Sequence, residues 1–262
     1  MCLVFFAYSH HPDYRVILAA NRDEFYHRPT DPMAFWSDAP DILAGRDLEA
    51  GGTWLGIHRS GRWAALTNYR DPAAHRSDAT SRGALIGRFL SGRKTAMDYV
   101  AGVSAATARY NGFNLVVDDG RSLAYLDSRT ARPRELGPGI YGLSNHLLDT
   151  PWPKVSNGKR RFERLVASET VSTAKMMTLL ADRRVPPDAA LPDTGVGLEW
   201  ERRLGPIFIA SPDYGTRCSS VLRITNSGRV EVAERSYQIT QGAVSGTKDR
   251  RFAFQVSGGG GF

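Results

Sequence analysis

Cysteine and lysine are both scarce in this sequence: 262 residues contain two Cys and five Lys, against 29 Arg. Cys2 and Cys218 have neither paired-ligand spacing nor the framework that staples small secreted domains, so a disulfide scaffold is excluded and a reducing, cytoplasmic setting is expected. The six histidines, His10, His11, His27, His58, His75 and His146, show no metal-ligand spacing, and neither a metal nor another cofactor is expected. Long apolar runs are missing too. Nothing approaches the ~18 residues that cross a bilayer, so no membrane span is expected. Residues 3–7 are too short for a signal-peptide core and have no basic segment before them, which also argues against a lipoprotein cysteine at position 2. Like charges form no long run, and the net charge of +7 is scattered. Only the doublets Arg160-Arg161, Arg183-Arg184, Arg202-Arg203 and Arg250-Arg251 stand out, so no nucleic-acid partner is expected.

What is present is ordinary for a globular chain. Hydrophobic residues make up 42% and charged residues 23%, enough to bury a substantial core and too balanced for disorder. Residues 3–8 form a continuous apolar and aromatic run that fits a strand covered on both faces, and residues 15–20 return as a second strand after a Pro/Asp turn. Such a hairpin brings Cys2 beside Asn21-Arg22-Asp23-Glu24. Residues 25–41, rich in Pro, Asp, His and aromatics, read as an ordered surface loop. Strands follow at residues 53–57 and 63–69. Gly51-Gly52 precedes a strand and lacks the Lys-Ser/Thr ending of a phosphate loop, so backbone tightness explains it.

Apolar residues then recur at helical spacing over residues 81–90 and 95–110. Asp118-Asp119-Gly120 turns a hairpin between residues 113–117 and 122–126. A strand is expected at 140–145, a second helix pair at 157–167 and 172–181, and a Pro/Gly/Asp-rich connector at 185–197. Strands close the chain at 207–210, 218–225, 230–237 and 252–256. There is no internal repeat. Residues 1–256 are expected to form one domain, and residues 257–262 a flexible glycine tail. Strands at both ends with two helix pairs between them give an α+β chain, compatible with two packed antiparallel sheets covered by helices.

Cys2 is the residue with the most chemistry. Removal of Met1 would leave a free α-amine, with a pKa near ~7.7–8.0, on the same residue as a thiol near ~8.5, placing a base and a nucleophile together. The bland alternative is a small apolar residue near the start of a strand.

Its company resembles a known family. Asn21-Arg22-Asp23-Glu24-Phe25, the stretch from Ala44 through Gly45-Arg46-Asp47 and Gly51-Gly52-Thr53-Trp54 to Gly56, Leu66-Thr67-Asn68-Tyr69-Arg70, Tyr141-Gly142-Leu143-Ser144-Asn145-His146 and Tyr214-Gly215-Thr216-Arg217-Cys218-Ser219 look like the NRDE, or transport and Golgi organisation protein 2, family. That family is similar in layout to N-terminal-nucleophile hydrolases of the choloylglycine and penicillin V acylase type. The resemblance implies a four-layer αββα sandwich with Cys2 at the mouth of a cleft. It also implies catalytic roles for Cys2, Arg22, Asp23, Asn68, Asn145 and Arg217. The arginine and carboxylate adjoin here, whereas that branch separates them, so either Asp23 or Glu24 supplies the carboxylate. Glu24, Phe25, Trp36, Tyr69 and His146 are the expected binding residues. Two functions follow from the resemblance: an amidohydrolase cleaving a linear amide of a small molecule, or a non-catalytic carrier of a small hydrophobic or anionic ligand such as haem or an acyl/CoA-type lipid.

Overall fold

The first apolar run is unbroken because both of its faces are covered. In the computed structural model, which describes residues 2–256, it becomes β1 (Cys2–Tyr8), antiparallel to β2 (Tyr14–Phe25) with Cys2 opposite Arg22 and Tyr8 opposite Val16. Leu3, Phe5 and Ala7 enter a core beneath helices, while Val4, Phe6 and Tyr8 enter the core between two sheets. Side chains alternating between two dry faces leave no position for a polar residue. The glycine tail expected at 257–262 lies outside the described residues.

The chain continues through β3 (Thr30–Phe35), β4 (Ile42–Asp47), β5 (Leu55–His58), β6 (Trp63–Asn68), α1 (Gly83–Ser91) and α2 (Ala96–Ser104). Then come β7 (Phe113–Asp118), β8 (Leu123–Asp127), β9 (Arg134–Leu136), β10 (Gly139–Leu143), α3 (Pro153–Val166), α4 (Thr173–Leu180) and α5 (Leu198–Leu204). It ends with β11 (Tyr214–Thr225), β12 (Arg229–Thr240) and β13 (Ala243–Gln255). The strands form two antiparallel sheets, ordered β10-β1-β2-β11-β12-β13 and β3-β4-β5-β6-β7-β8-β9. Helices α1 and α2 cover the seven-stranded sheet, α3 and α4 the six-stranded one, and the fold is an αββα sandwich. A buried ion pair ties the sheets together: Arg15 Nη1 lies 2.6 Å from Asp118 Oδ2, and that oxygen also accepts from Trp63 Nε1 at 2.8 Å.

Several local expectations change. The surface loop expected at 25–41 contains β3, an edge strand that tolerates Pro32 and loses register between Asp31 and Ala34; those two features hide it from a period-two reading. Residues 207–210, expected as a strand, form a turn with a single bridge from Ala210 to Gly215. Ile207, Phe208 and Ile209 are buried there, and a short apolar run looks the same in a buried turn as in a strand. Helix α5 follows the expected connector. Strands β12 and β13 run past their expected limits as a long exposed-edge hairpin.

Candidate active site at the β1–β2 seam

Register decides what Cys2 faces. Cys2, Arg22 and Cys218 lie side by side across β1, β2 and β11, and both cysteines belong to the core between the sheets. Leu3, Asn21 and Ser219 form the next row and face the helices. Asn21 donates through Nδ2 to the carbonyls of Leu180 and Ile207, both at 2.9 Å, and accepts from Ser219 Oγ at 2.6 Å. It therefore anchors β2 to the helical layer.

Arg22 turns the other way. It donates to Thr30 Oγ1 at 3.1 Å and to Asp47 Oδ2 at 3.2 Å, with its guanidinium carbon 4.2 Å from the Trp54 ring centroid. A buried guanidinium is tolerable when ion pairing, hydrogen bonding and ring stacking replace its water. Asp23, 1% exposed, accepts from Thr216 Oγ1 at 2.8 Å. Burial raises its pKa, and the Lys154 ammonium and the Thr216 hydrogen bond oppose that rise. Glu24 shares Arg22's side of the strand by alternation. Burial works against its charge, but the Phe25 N–H, 3.0 Å from Oε1, and the Arg22 and Arg28 guanidiniums hold it below the ordinary carboxylate range.

These residues meet at a cavity of about 360 Å³ bordered by Cys2, Arg22, Asp23, Glu24, Asn68 and Arg82, with Asp47, Thr53 and Trp54 in its wall. Both carboxylates left open by the sequence thus border it. Burial pushes the Cys2 thiol up, so its resting form is the protonated thiol. Arg82 donates to the Gly112 carbonyl at 2.8 Å, and Glu24 and Cys2 lie within its electrostatic reach. The tightness expected of Gly51-Gly52 has a physical cause: a Cβ on Gly52 would fall 2.4 Å from the Gly83 carbonyl carbon, where the wall meets the start of α1.

The other expected site residues stand farther back. Asn68 lies at the end of β6 on the cavity, and its carbonyl accepts from Asn145 Nδ2 at 2.9 Å. Asn145, fully buried, sits behind it, its own carbonyl bonded by the Arg70 N–H at 2.7 Å. Arg217 Nη1 donates to the carbonyls of Phe25 and Arg28 at 2.8 and 3.0 Å. It lines an adjoining cavity of about 420 Å³ that shares Arg22 and Trp54 with the first. Phe25 packs edge-on against Tyr214 and is 37% exposed. Trp36 packs with the core on the helix-covered face of the seven-stranded sheet, beneath Arg46. Tyr69 stacks on His146, which in turn meets Trp152. None of Phe25, Trp36, Tyr69 or His146 borders the Cys2 cavity.

Sequence reasoning assigned no role to Asp47, Trp54, Arg82 or Lys154. Asp47 and Trp54 stood inside a quoted motif, which was the available signal; Arg82 and Lys154 had none. Lys154 is buried behind Asp23, donates to the Leu204 carbonyl at 2.8 Å, and is pushed down to about 8 by burial, with Asp23, Glu201 and Cys2 within electrostatic reach. Nearby, Arg70 and Glu201 form a buried pair at 2.7 Å. Among the described residues, no cluster of three or more His, Cys, Asp or Glu side chains is placed to hold a metal ion, and no helix is long and apolar enough to cross a membrane.

The chain matches known proteins over most of its length. The chain is 40% identical over 261 residues to the Transport and Golgi organization protein 2 homolog of Bos taurus, covering 90% of this chain and 93% of that protein. It is 38% identical over 257 residues to the Homo sapiens homolog, with the same coverages, and 30% identical over 270 residues to the Drosophila melanogaster protein, covering 90% and 92%. A solved structure of the Caenorhabditis elegans N-acylethanolamine-hydrolyzing acid amidase ortholog aligns with a TM-score of 0.48 and 12% identity, covering 84% of this chain and 92% of that one. The sequence profile for Transport and Golgi organisation 2 spans residues 1–239, which include every residue of the Cys2 cavity, and the chain belongs to that family.

Proposed function

We propose that the protein is a cytoplasmic cysteine amidohydrolase that cleaves a linear amide C–N bond of a small molecule, with Cys2 as nucleophile. The observation that carries this reading is the position of Cys2 in a cavity of about 360 Å³ beside Arg22, Asp23 and Asn68. Because burial keeps the thiol protonated, attack needs a base at hand. Once Met1 is removed, the Cys2 α-amine is that base. It takes the thiol proton as sulfur attacks the amide carbonyl, and Asn68 donates to the oxyanion. The amine returns the proton to the leaving nitrogen as the C–N bond breaks, and water then hydrolyses the thioester.

Intact mass of the purified protein reports removal of Met1. A panel of small linear amides, followed by product mass spectrometry, reports turnover. Loss of a nucleophile in a triad enzyme costs roughly 10⁶-fold in kcat, so Cys2→Ala is expected to reduce turnover to background. Asn68→Ala is expected to lower kcat by about 10²–10³-fold. Undiminished turnover in Cys2→Ala would sink the mechanism.

A second reading, binding without turnover, draws support from Asn145 Nδ2 and Arg217 Nη1, which donate to the carbonyls of Asn68, Phe25 and Arg28. Under it, the cavity carries a small hydrophobic or anionic ligand such as haem or an acyl lipid. Titration with haem would then shift its Soret band, and Cys2→Ala would leave affinity for non-thiol-ligated cargo intact. An unchanged Soret band counts against haem as the cargo.

A further inference from the structure

Arg160-Arg161 and one member of the Arg183-Arg184 doublet come together on the fold. A groove of about 500 Å³ runs between α3 and the segment after α4 on the helical layer, and it shares no lining residue with the Cys2 cavity. Lys154, Arg160, Arg161, Arg164 and Arg184 line it, with Asp182 as its one acid. Asp182 is shared between Arg161 and Arg184, which leaves most of the positive charge unmatched. Among the described residues, Arg160 hydrogen-bonds to Asn157 Oδ1, and neither Arg160 nor Arg164 has an acidic partner within ion-pair distance.

Positions 157, 160, 161 and 164 lie three or four apart and so share one face of α3. Like charges at those spacings disfavour a helix by a few tenths of a kcal/mol per pair. Surface stability alone would select against such a stripe. The opposite wall begins with the Asp182–Arg184 ion pair and continues as an apolar stretch of Val185, Pro186, Pro187 and Ala190, with Val185 58% exposed. The groove therefore presents planar cationic forks on one side and apolar surface on the other. Guanidinium forks match the oxygens of a phosphate better than a point charge does, and the volume is that of a small-molecule site.

We propose that this groove binds a phosphorylated small organic molecule, its phosphate on Arg160, Arg161 and Arg164 and its apolar body against Val185 and Pro186. The site is independent of the proposed hydrolase chemistry. Its test does not require turnover.

Calorimetric titration of the full chain at about 0.1 M salt, with phenyl phosphate and with inorganic phosphate as probes, tests both walls. Saturable one-to-one binding of phenyl phosphate, at least 10-fold tighter than inorganic phosphate, is expected. Arg160→Ala/Arg164→Ala is expected to weaken phenyl phosphate at least 10-fold. Val185→Ser is expected to weaken phenyl phosphate several-fold and leave inorganic phosphate unchanged. The control pair Arg93→Ala/Arg132→Ala removes the same charge from exposed positions outside the groove. An equal loss in the control pair would reduce the effect to diffuse attraction and overturn the site, as would no saturable binding in the millimolar range. Equal affinity for the two probes would overturn the organic ligand. Circular dichroism checks each variant's fold, and Arg164→Gln, a milder change at an exposed position, carries the same test if the double variant unfolds.

Discussion

Residues 16–20 of β2 are Val-Ile-Leu-Ala-Ala, covered on both faces by apolar neighbours, whereas residues 21–23, one step along the same strand, are Asn-Arg-Asp and just as buried. In the first stretch many apolar side chains of similar volume would serve, since burial free energy follows area and packing. In the second, each side chain depends on particular atoms brought from far away. Asn21 needs two carbonyls from near α4 and α5 and a hydroxyl from β11, Arg22 needs Thr30, Asp47 and Trp54, and Asp23 needs Thr216. A strand that only held the fold together would continue the apolar pattern. Over residues 21–23 burial depends on specific partners rather than on apolar area, and Arg22 and Asp23 border the Cys2 cavity.

Leu18→Ala is expected to have the largest effect on stability, about 2–5 kcal/mol by chemical denaturation, while leaving any activity per folded molecule unchanged. A rate defect from Leu18→Ala would erase the distinction between the two stretches.

Lys154, buried on the Asp23 side of the seam, makes stability there depend on pH. Its folded pKa of about 8 lies below its ordinary value of 10.5, so between those values the unfolded chain binds more protons and stability rises with pH. The buried ammonium costs about 3 kcal/mol below pH 8, and that cost fades towards pH 10. Denaturation of Lys154→Met alongside wild type from pH 7 to 10 is expected to show a stability gap that narrows by about that amount as pH rises. A gap constant with pH would mean that the folded lysine keeps its ordinary pKa and its charge across this range.

The smallest expected effect is at Asn21. Asn21→Leu keeps the branched outline but adds bulk, and it leaves two buried carbonyls without their donor while Ser219 keeps only the Tyr237 hydroxyl, at a cost of about 2 kcal/mol. A variant as stable as wild type would show that the polar stretch has no structural role of its own.

The layers were legible because their signals are local. The β1 run, the Asp118-Asp119-Gly120 turn and the helical spacing of α1 to α4 each follow from the sequence within one element. Strand β3 was hidden by Pro32 and its broken register, β9 by its three-residue length, and the turn at 207–210 by burial without pairing. Within the site, Cys2, Arg22, Asp23, Glu24 and Asn68 were named from sequence and border one cavity. Asp47, Trp54 and Arg82 reach the same cavity from β4, the strand entry before β5 and the start of α1, and no spacing rule links those segments to position 2. Trp36 is on the far face of its sheet because residues 30–35 pair as a strand rather than draping over the cleft.

The sequence by itself determined that Cys2 and residues 21–24 adjoin, because a short hairpin between two apolar strands leaves them nowhere else to be, and that successive residues there point to opposite faces. Which face meets the second sheet, and which meets the helices, was decided by the docking of β4, β11 and α4 against that strand. Local alternation is a property of the backbone, but the identity of each face belongs to the elements that bury it, and those lie up to 198 residues away along the chain.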